Sequence, residues 1–301
     1  MVEQVIKAYA GTLFPGFDIE TTNTFRVTRD ADIEIAEDEA EDLLTEIAEQ
    51  IKHRKWGTAP VRLDVSANMP DYLVNLLMKS LELEQSDVYV RNRPLNFPDL
   101  MQLTKLDIRH LKDTPFQTRQ LPEFQVDGIS VFDAIKKRDL MVHHPFDSFS
   151  NNVLKFINEG ADDPDVVAIK ITLYRAGINS PVVAALKRAA ENGKEVTAFV
   201  ELKARFDEEN NIFWAKDLEQ VGVHVVYGVM GLKTHCKIAM IVRREENKLK
   251  TYLHLATGNY NHITTRLYTD IGIFTANDDF AMDAIHLFNY LTGYSNYKDW
   301  K

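Results

Sequence analysis

The run Val166-Val167-Ala168-Ile169-Lys170-Ile171-Thr172-Leu173-Tyr174 restricts the fold more than any other stretch of this chain. Its apolar residues do not alternate with polar ones. A strand built from it is therefore covered on both faces, as strands with parallel neighbours are inside an α/β sheet. The residues that follow agree. Ser180-Pro181 has the chemistry of a helix start, with Ser180 as N-cap and Pro181 at the first position, where its missing N–H is harmless. Val182, Val183, Leu186 and Ala190 make the buried face, and Asn192-Gly193 supplies the stop. Glu195 to Leu202 reads as a second strand, Glu208 to Gln220 as a helix, and His224 to Tyr227 as a third strand. This alternation predicts an α/β domain with a mixed, largely parallel sheet.

Next comes Gly231-Leu232-Lys233-Thr234-His235-Cys236-Lys237, leading into the apolar run Ile238 to Val242. On a strand, His235 and Lys237 share a face and Cys236 takes the other, where it reads as a small buried residue. An imidazole that titrates near neutrality beside a fixed cation, with Lys233 nearby, suits phosphoryl handling. A core histidine beside a snorkelling lysine is the alternative. Arg175 and Arg205 each stand just past the C-terminal end of a strand, the rim at which open α/β sheets bind ligands. There they suit bidentate contacts to phosphate, or ion pairs with Asp207, Glu208 or Glu209. Thr251 to Leu255 reads as a strand ending in Ala256-Thr257-Gly258-Asn259-Tyr260-Asn261. In that segment Gly258 permits close backbone approach to a ligand, and Asn259 and Asn261 can orient a histidine or donate to an oxyanion. A plain turn remains open for it. His254, among Leu253 and Leu255, reads as a packed core histidine. Arg266 and Tyr268 add a cation and a phenol, and Asp278 to Leu291 reads as an amphipathic helix.

A different pattern precedes this one. A weak helical start breaks at Phe14-Pro15-Gly16. Thr24 to Thr28, Val61 to Val65 and Ser86 to Val90 read as strands. Helices are expected at Ile35 to Arg54, behind the acidic run Glu37 to Asp42, and from Pro70 to Leu83. That order describes a small α/β unit. Turn signals crowd residues 91–130, which places a domain boundary near 122 and divides the chain into 1–121 and 122–301. Arg26 and Arg29 are open to phosphate contact or to exposed structural roles.

The balance of 35 basic against 45 acidic residues gives a net charge of −10, which argues against general nucleic-acid binding. A polyanion would have to be held by local clusters of Arg and Lys. A single cysteine excludes an internal disulfide and fits a reducing, cytoplasmic setting. No apolar run approaches the roughly 20 residues of a membrane span, and the first residues lack signal-peptide architecture. Neither a G-x-x-x-x-G-K-[ST] loop nor a G-x-G-x-x-G turn occurs, and His143-His144 and Asp162-Asp163 lack the spacing of metal ligands.

Four strings carry a resemblance to a known family: Ile169 to Arg175, Val200 to Asn211, Tyr227-Gly228 with Gly231 to Lys237, and Thr257 to Asn261. With Phe25-Arg26-Val27-Thr28-Arg29-Asp30-Ala31-Asp32, they make the chain similar to the polyphosphate kinase type 1 family over nearly its whole length. The resemblance implies an N-terminal α/β head domain that mediates homo-oligomer formation, then the first of two phospholipase D-like domains. It implies reversible transfer of the terminal phosphoryl group of ATP to inorganic polyphosphate, with ATP, ADP and polyphosphate as partners. His235 takes the position of the phosphorylated histidine, Lys237 stands beside it, and Lys233 and Asn259 join the phosphate-binding set. Arg175 and Arg205 match positions associated with Mg²⁺; a guanidinium has no lone pair for a metal, so both are expected to act through phosphate. Tyr268 matches a nucleotide-contacting position. The family carries a further domain on each side, so the chain reads as an internal fragment. Peripheral membrane association stays open. Two other readings remain: a phospholipase D-like phosphodiesterase, weakened because Val242 replaces the aspartate expected five residues after Lys237, and a non-catalytic dimerisation or anion-binding module.

Overall fold

The computed structural model describes residues 2–30, 59–92, 95–177, 179–202, 204, 207–228, 233–246, 248–293 and 300. The helix expected over 35–54, and with it the acidic run, lies outside the described residues, as do Lys203, Arg205, Gly231 and Leu232. The chain separates into two compact units, one ending at Thr114 and the other beginning its main run at Pro115.

In the first unit, helix α1 (Val2–Tyr9) precedes a three-stranded sheet of β1 (Phe25–Arg29), β2 (Pro60–Ser66) and β3 (Val88–Arg91). β1 and β2 are antiparallel, and β2 and β3 parallel. Helix α2 (Asp71–Leu81) supplies the crossover that parallel pairing requires. Leu63 and Val65 are buried on one face of β2, against Leu73, Val74, Leu77 and Met78 of α2. Pro70 is the N-cap of α2, with an extended ψ of 143°.

The second unit is a seven-stranded sheet in the order β4-β10-β9-β8-β5-β6-β7. Its strands are β4 (Leu140–His144), β5 (Val166–Leu173), β6 (Glu195–Val200), β7 (His224–Tyr227), β8 (Lys237–Glu245), β9 (Lys248–Ala256) and β10 (Asp270–Thr275). The α/β architecture is mixed, as the sequence implies, but the sheet is not largely parallel as expected: among its six described pairings four are antiparallel. Parallel pairing is confined to β5–β6 and β6–β7. The other pairings are antiparallel, because β8 and β9 form a hairpin in which Glu245 pairs with Lys248, and β10 turns back onto β9 and β4.

Helices α3 (Val131–Lys137), α4 (Val153–Asp162), α5 (Pro181–Glu191), α6 (Glu208–Glu219) and α7 (Asp278–Leu291) complete this unit. Ser180 caps α5 by accepting from the Val183 N–H, with Pro181 at the first position. The alternation of β8 divides its side chains between two cores. Ala239 and Ile241 enter the large one with Phe156, Ile169 and Tyr252, while Ile238 and Met240 pack with Leu253 on Ala284 and Phe288 of α7. The two-sided burial of β5 read from its sequence is realised: of its eight residues only Val167 and Lys170 are not fully buried.

Candidate active site

The registers bring many chain ends to one rim of the larger sheet. Lys237 opens β8 opposite Ala256, the last residue of β9, and Gly272 of β10 also pairs with Ala256. Asp270, the first residue of β10, faces His144 at the end of β4. Because β8 runs antiparallel to β5, its start lies beside the end of β5, and β5, β6 and β7 finish together. The segments after Leu173, Val200 and Ala256, and the segment before Lys237, therefore share this rim.

Tyr174 is the platform there. The His235 imidazole meets its ring edge-on, with centroids 5.0 Å apart at 83°. Lys237 Nζ, Arg175 Cζ and Lys233 Nζ lie 5.3, 5.3 and 5.6 Å from the centre of the same ring. His235 is exposed and Lys237 is buried. That reverses the alternative of a core histidine beside a snorkelling lysine. β8 begins at Lys237, so His235 and Cys236 precede the strand and its alternation does not govern them. Cys236 is consequently exposed, not buried as the strand reading required.

Although the residue is exposed, partial desolvation of its ring pushes the His235 pKa down, and Lys237, Lys233 and Arg175 push it further in the same direction. The ring is therefore neutral at pH 7 and has a lone pair to offer. Burial also lowers the pKa of Lys237, while the neighbouring Cys236 and Asp270 raise it. Its ammonium donates to the His235 carbonyl, tying the two residues together. Arg175 pairs through Nε with Asp207 Oδ2 at 3.2 Å, so the ion-pair alternative for this arginine is present at the rim itself.

Several residues that sequence reasoning did not select hold the arrangement. The Thr172 hydroxyl donates to the Cys236 carbonyl at 2.9 Å and accepts from the Ile238 N–H at 3.1 Å, fixing the start of β8 to β5. Glu201, buried at the end of β6, accepts from the Thr234 N–H at 2.7 Å. Asn211 of α6 donates to the carbonyls of Tyr174 and Glu201 at 2.8 and 2.9 Å. Trp214 donates to the Gly177 carbonyl at 2.8 Å. Such residues read only as ordinary strand or helix positions, because their partners lie up to 66 residues away.

The remaining candidates divide. Asn259 is half-buried, and its Oδ1 has no partner among the described residues. Asn261 accepts from the Ile263 and Thr264 N–H groups, bracing the chain as it enters the single turn Thr264–Arg266, which is a structural task. Gly258 does admit close approach, but to Asp270: a Cβ there would lie 2.6 Å from the Asp270 carboxyl carbon. Tyr268 is exposed just before β10. His254 is buried, its Nδ1 3.0 Å from the Tyr260 hydroxyl and its pKa lowered to about 3, the condition of a core histidine. No cluster of three or more His, Cys, Asp or Glu side chains that could hold a metal occurs among the described residues. The described residues at this rim therefore do not form a carboxylate or imidazole cage for magnesium, and Arg175 offers a metal only donors.

Residues 130–297 match the family model for polyphosphate kinase C-terminal domain 1, and residues 1–103 match that for the polyphosphate kinase middle domain. Polyphosphate kinase 1 of Chlorobaculum tepidum is 50% identical over 300 residues, an alignment that takes in 100% of this chain and 43% of the relative. Polyphosphate kinase of Synechocystis is 47% identical over 315 residues, with 100% and 43% covered. The crystal structure of polyphosphate kinase from Porphyromonas gingivalis superposes with a TM-score of 0.76 at 28% identity, covering 100% of this chain and 42% of that one. The chain thus spans less than half the length of these relatives. Two adjoining family models, met in order along a chain whose rim gathers an imidazole and cations on one tyrosine, lead to one assignment: the chain belongs to the polyphosphate kinase family.

Proposed function

We propose that this chain carries the phosphoryl-transfer centre of a polyphosphate kinase, with ATP and inorganic polyphosphate as substrates and His235 as the relay. The observation that carries the reading is the exposed imidazole on Tyr174, surrounded by Lys233, Lys237 and Arg175, which all favour its neutral form. A lone pair of His235 attacks the terminal phosphorus of ATP. An N–P bond forms, the bond from that phosphorus to the bridging oxygen breaks, and ADP leaves with the electron pair. A terminal oxygen of polyphosphate then attacks the phosphohistidine, the N–P bond breaks, and the imidazole returns to its neutral state. Splitting the transfer means the two polyanions need not meet in one step. Lys237, Lys233 and Arg175 neutralise charge spread over the transferring oxygens. In this reading Arg205 adds a second guanidinium, Asn259 donates to a phosphate oxygen, and Tyr268 contacts the nucleotide. Magnesium belongs to the nucleotide as its counter-ion, and no step is assigned to it. Residues 1–121 serve as the head domain for self-association and 122–301 as the catalytic domain, working in the cytoplasm where ATP is supplied.

The test is labelling with ATP radioactive at its terminal phosphate, in the protein as the cell makes it. Acid-labile, alkali-stable label should appear on the wild type and vanish in His235→Ala. Undiminished label in that variant would place the nucleophile elsewhere.

A further inference from the structure

The smaller unit carries a cluster of cations that phosphoryl transfer leaves unused. Across its sheet Arg26 faces Asp64, Thr28 faces Arg62, Asp64 faces Tyr89, and Ser66 faces Arg91. With a side-chain period of two, these residues share one face, opposite the one that buries Leu63 and Val65. Arg62 forks onto Asp64 through Nε at 2.9 Å and Nη2 at 2.8 Å, and Arg91 Nε reaches the same carboxylate at 3.0 Å. The two guanidinium carbons lie 4.2 and 5.2 Å from the centre of the Tyr89 ring. Arg26 donates to the Leu95 carbonyl at 3.1 Å. Arg26, Thr28, Arg62, Asp64, Arg91 and Phe97 border a concavity of about 330 Å³.

Among the described residues, three guanidiniums face one carboxylate here, in a chain whose net charge is −10. The hydrogen bond from Arg62 holds the Asp64 carboxyl below its usual range against the effect of burial, and Arg91 adds to it. Asp64 therefore stays ionised and braces two arginines. Each guanidinium has five N–H donors. The Asp64 and Leu95 contacts occupy two from Arg62, one from Arg91 and one from Arg26, leaving most of the donors beside the concavity. Braced forks of this kind lose little freedom on binding phosphate oxygens in pairs. Tyr89 is already engaged by two guanidiniums and is a poor stacking platform for a base. We propose that this face is a docking site for the bare phosphoanhydride chain of inorganic polyphosphate. The choice of polymer rests on the function proposed above; the charge, donors and room are properties of the sheet.

The experiment titrates the full protein with fluorescently end-labelled inorganic polyphosphate and compares Arg26→Glu with Lys79→Glu, which makes the same change in net charge on an exposed position of α2. Arg26→Glu should weaken polyphosphate binding about tenfold or more and flatten its salt dependence, while Lys79→Glu stays within about twofold. Arg91→Lys, which keeps the charge but not the fork, should lie between. Binding of Arg26→Glu within about twofold of wild type, an equal loss in Lys79→Glu, or no binding by the wild type would each overturn the proposal. So would a single-stranded DNA homopolymer that binds as tightly and loses as much in Arg26→Glu. Labelling of His235 is read separately: label with no Arg26 effect refutes only this site, and an Arg26 effect without label refutes only the transfer mechanism.

Discussion

At the scale of single residues, the proposed transfer depends on an imidazole kept unprotonated by its neighbours. Histidine ordinarily titrates near neutrality, and here partial desolvation and three cations all favour the neutral form. The sign of the pH effect follows. Protonation removes the lone pair, so labelling by ATP falls on the acid side, at a pH below the usual histidine range. Lys237→Gln removes the largest of the cationic contributions and should raise the His235 pKa, moving the acid limb to higher pH while lowering the maximum. The pH profile of labelling, with an NMR titration of the His235 ring, checks this. An acid limb that stays in place would mean that Lys237 does not act on the ring. Arg175 sits differently, because its pairing with Asp207 must loosen or be shared when phosphate arrives. Asp207→Asn should therefore leave Arg175 freer and tighten ATP binding, read as a lower Kd.

At the scale of elements, the site depends on how β5 receives β8. Backbone pairing gives way near the rim, and the Thr172 hydroxyl takes its place by serving both the Cys236 carbonyl and the Ile238 N–H. Thr172→Val keeps the shape and deletes both bonds. It should cost about 1–3 kcal/mol in denaturant unfolding and slow labelling of His235, whereas Thr172→Ser should recover most of both. On β10, Gly272 lies against a buried wall: a Cβ there would be 2.5 Å from His254 Nε2 and 3.0 Å from Val142 Cγ2. Gly272→Ala should therefore destabilise the larger unit by about 1–3 kcal/mol through overpacking, seen as a lower urea midpoint with an unchanged slope. A midpoint equal to wild type would show that the wall yields.

At the scale of the whole molecule, buried histidines link folding to acidity. The His254 pKa falls to about 3 in the native state, and burial lowers that of His144 as well. An unfolded chain would protonate His254 near pH 6.5. Between that value and about 3 the unfolded state binds a proton that the native state refuses, so stability falls as pH drops through the window. His254 contributes at most about 1.4 kcal/mol per pH unit there. His254→Gln should be less stable at pH 7 yet show a shallower loss of urea midpoint between pH 7 and 5. An equally steep loss would assign the acid response to other groups.

Much of this was legible in one dimension, wherever the cause is local. Apolar continuity over Val166–Leu173, the Ser180-Pro181 start and the amphipathic pattern of Asp278 to Leu291 depend on near neighbours, and each element stands where those residues put it. The grouping of Arg175 with His235 and Lys237 could be anticipated because strand ends meet at one rim of an α/β sheet. Other features depend on residues far apart in sequence. Whether Cys236 faces inward turned on β8 starting only at Lys237, after both His235 and Cys236, and Thr172, Glu201 and Asn211 acquire their roles only through partners on other elements. The arginine face of the small sheet needs the register of three strands before Arg26, Arg62 and Arg91 become neighbours. The sequence by itself determined the elements from β5 to β9 and the helix after β10, because propensity and periodicity act over a few residues; β4, β10 and the helices Val131–Lys137 and Val153–Asp162 were not read from it. Only the tertiary structure decided which residues share a site, because register and crossover connect distant segments.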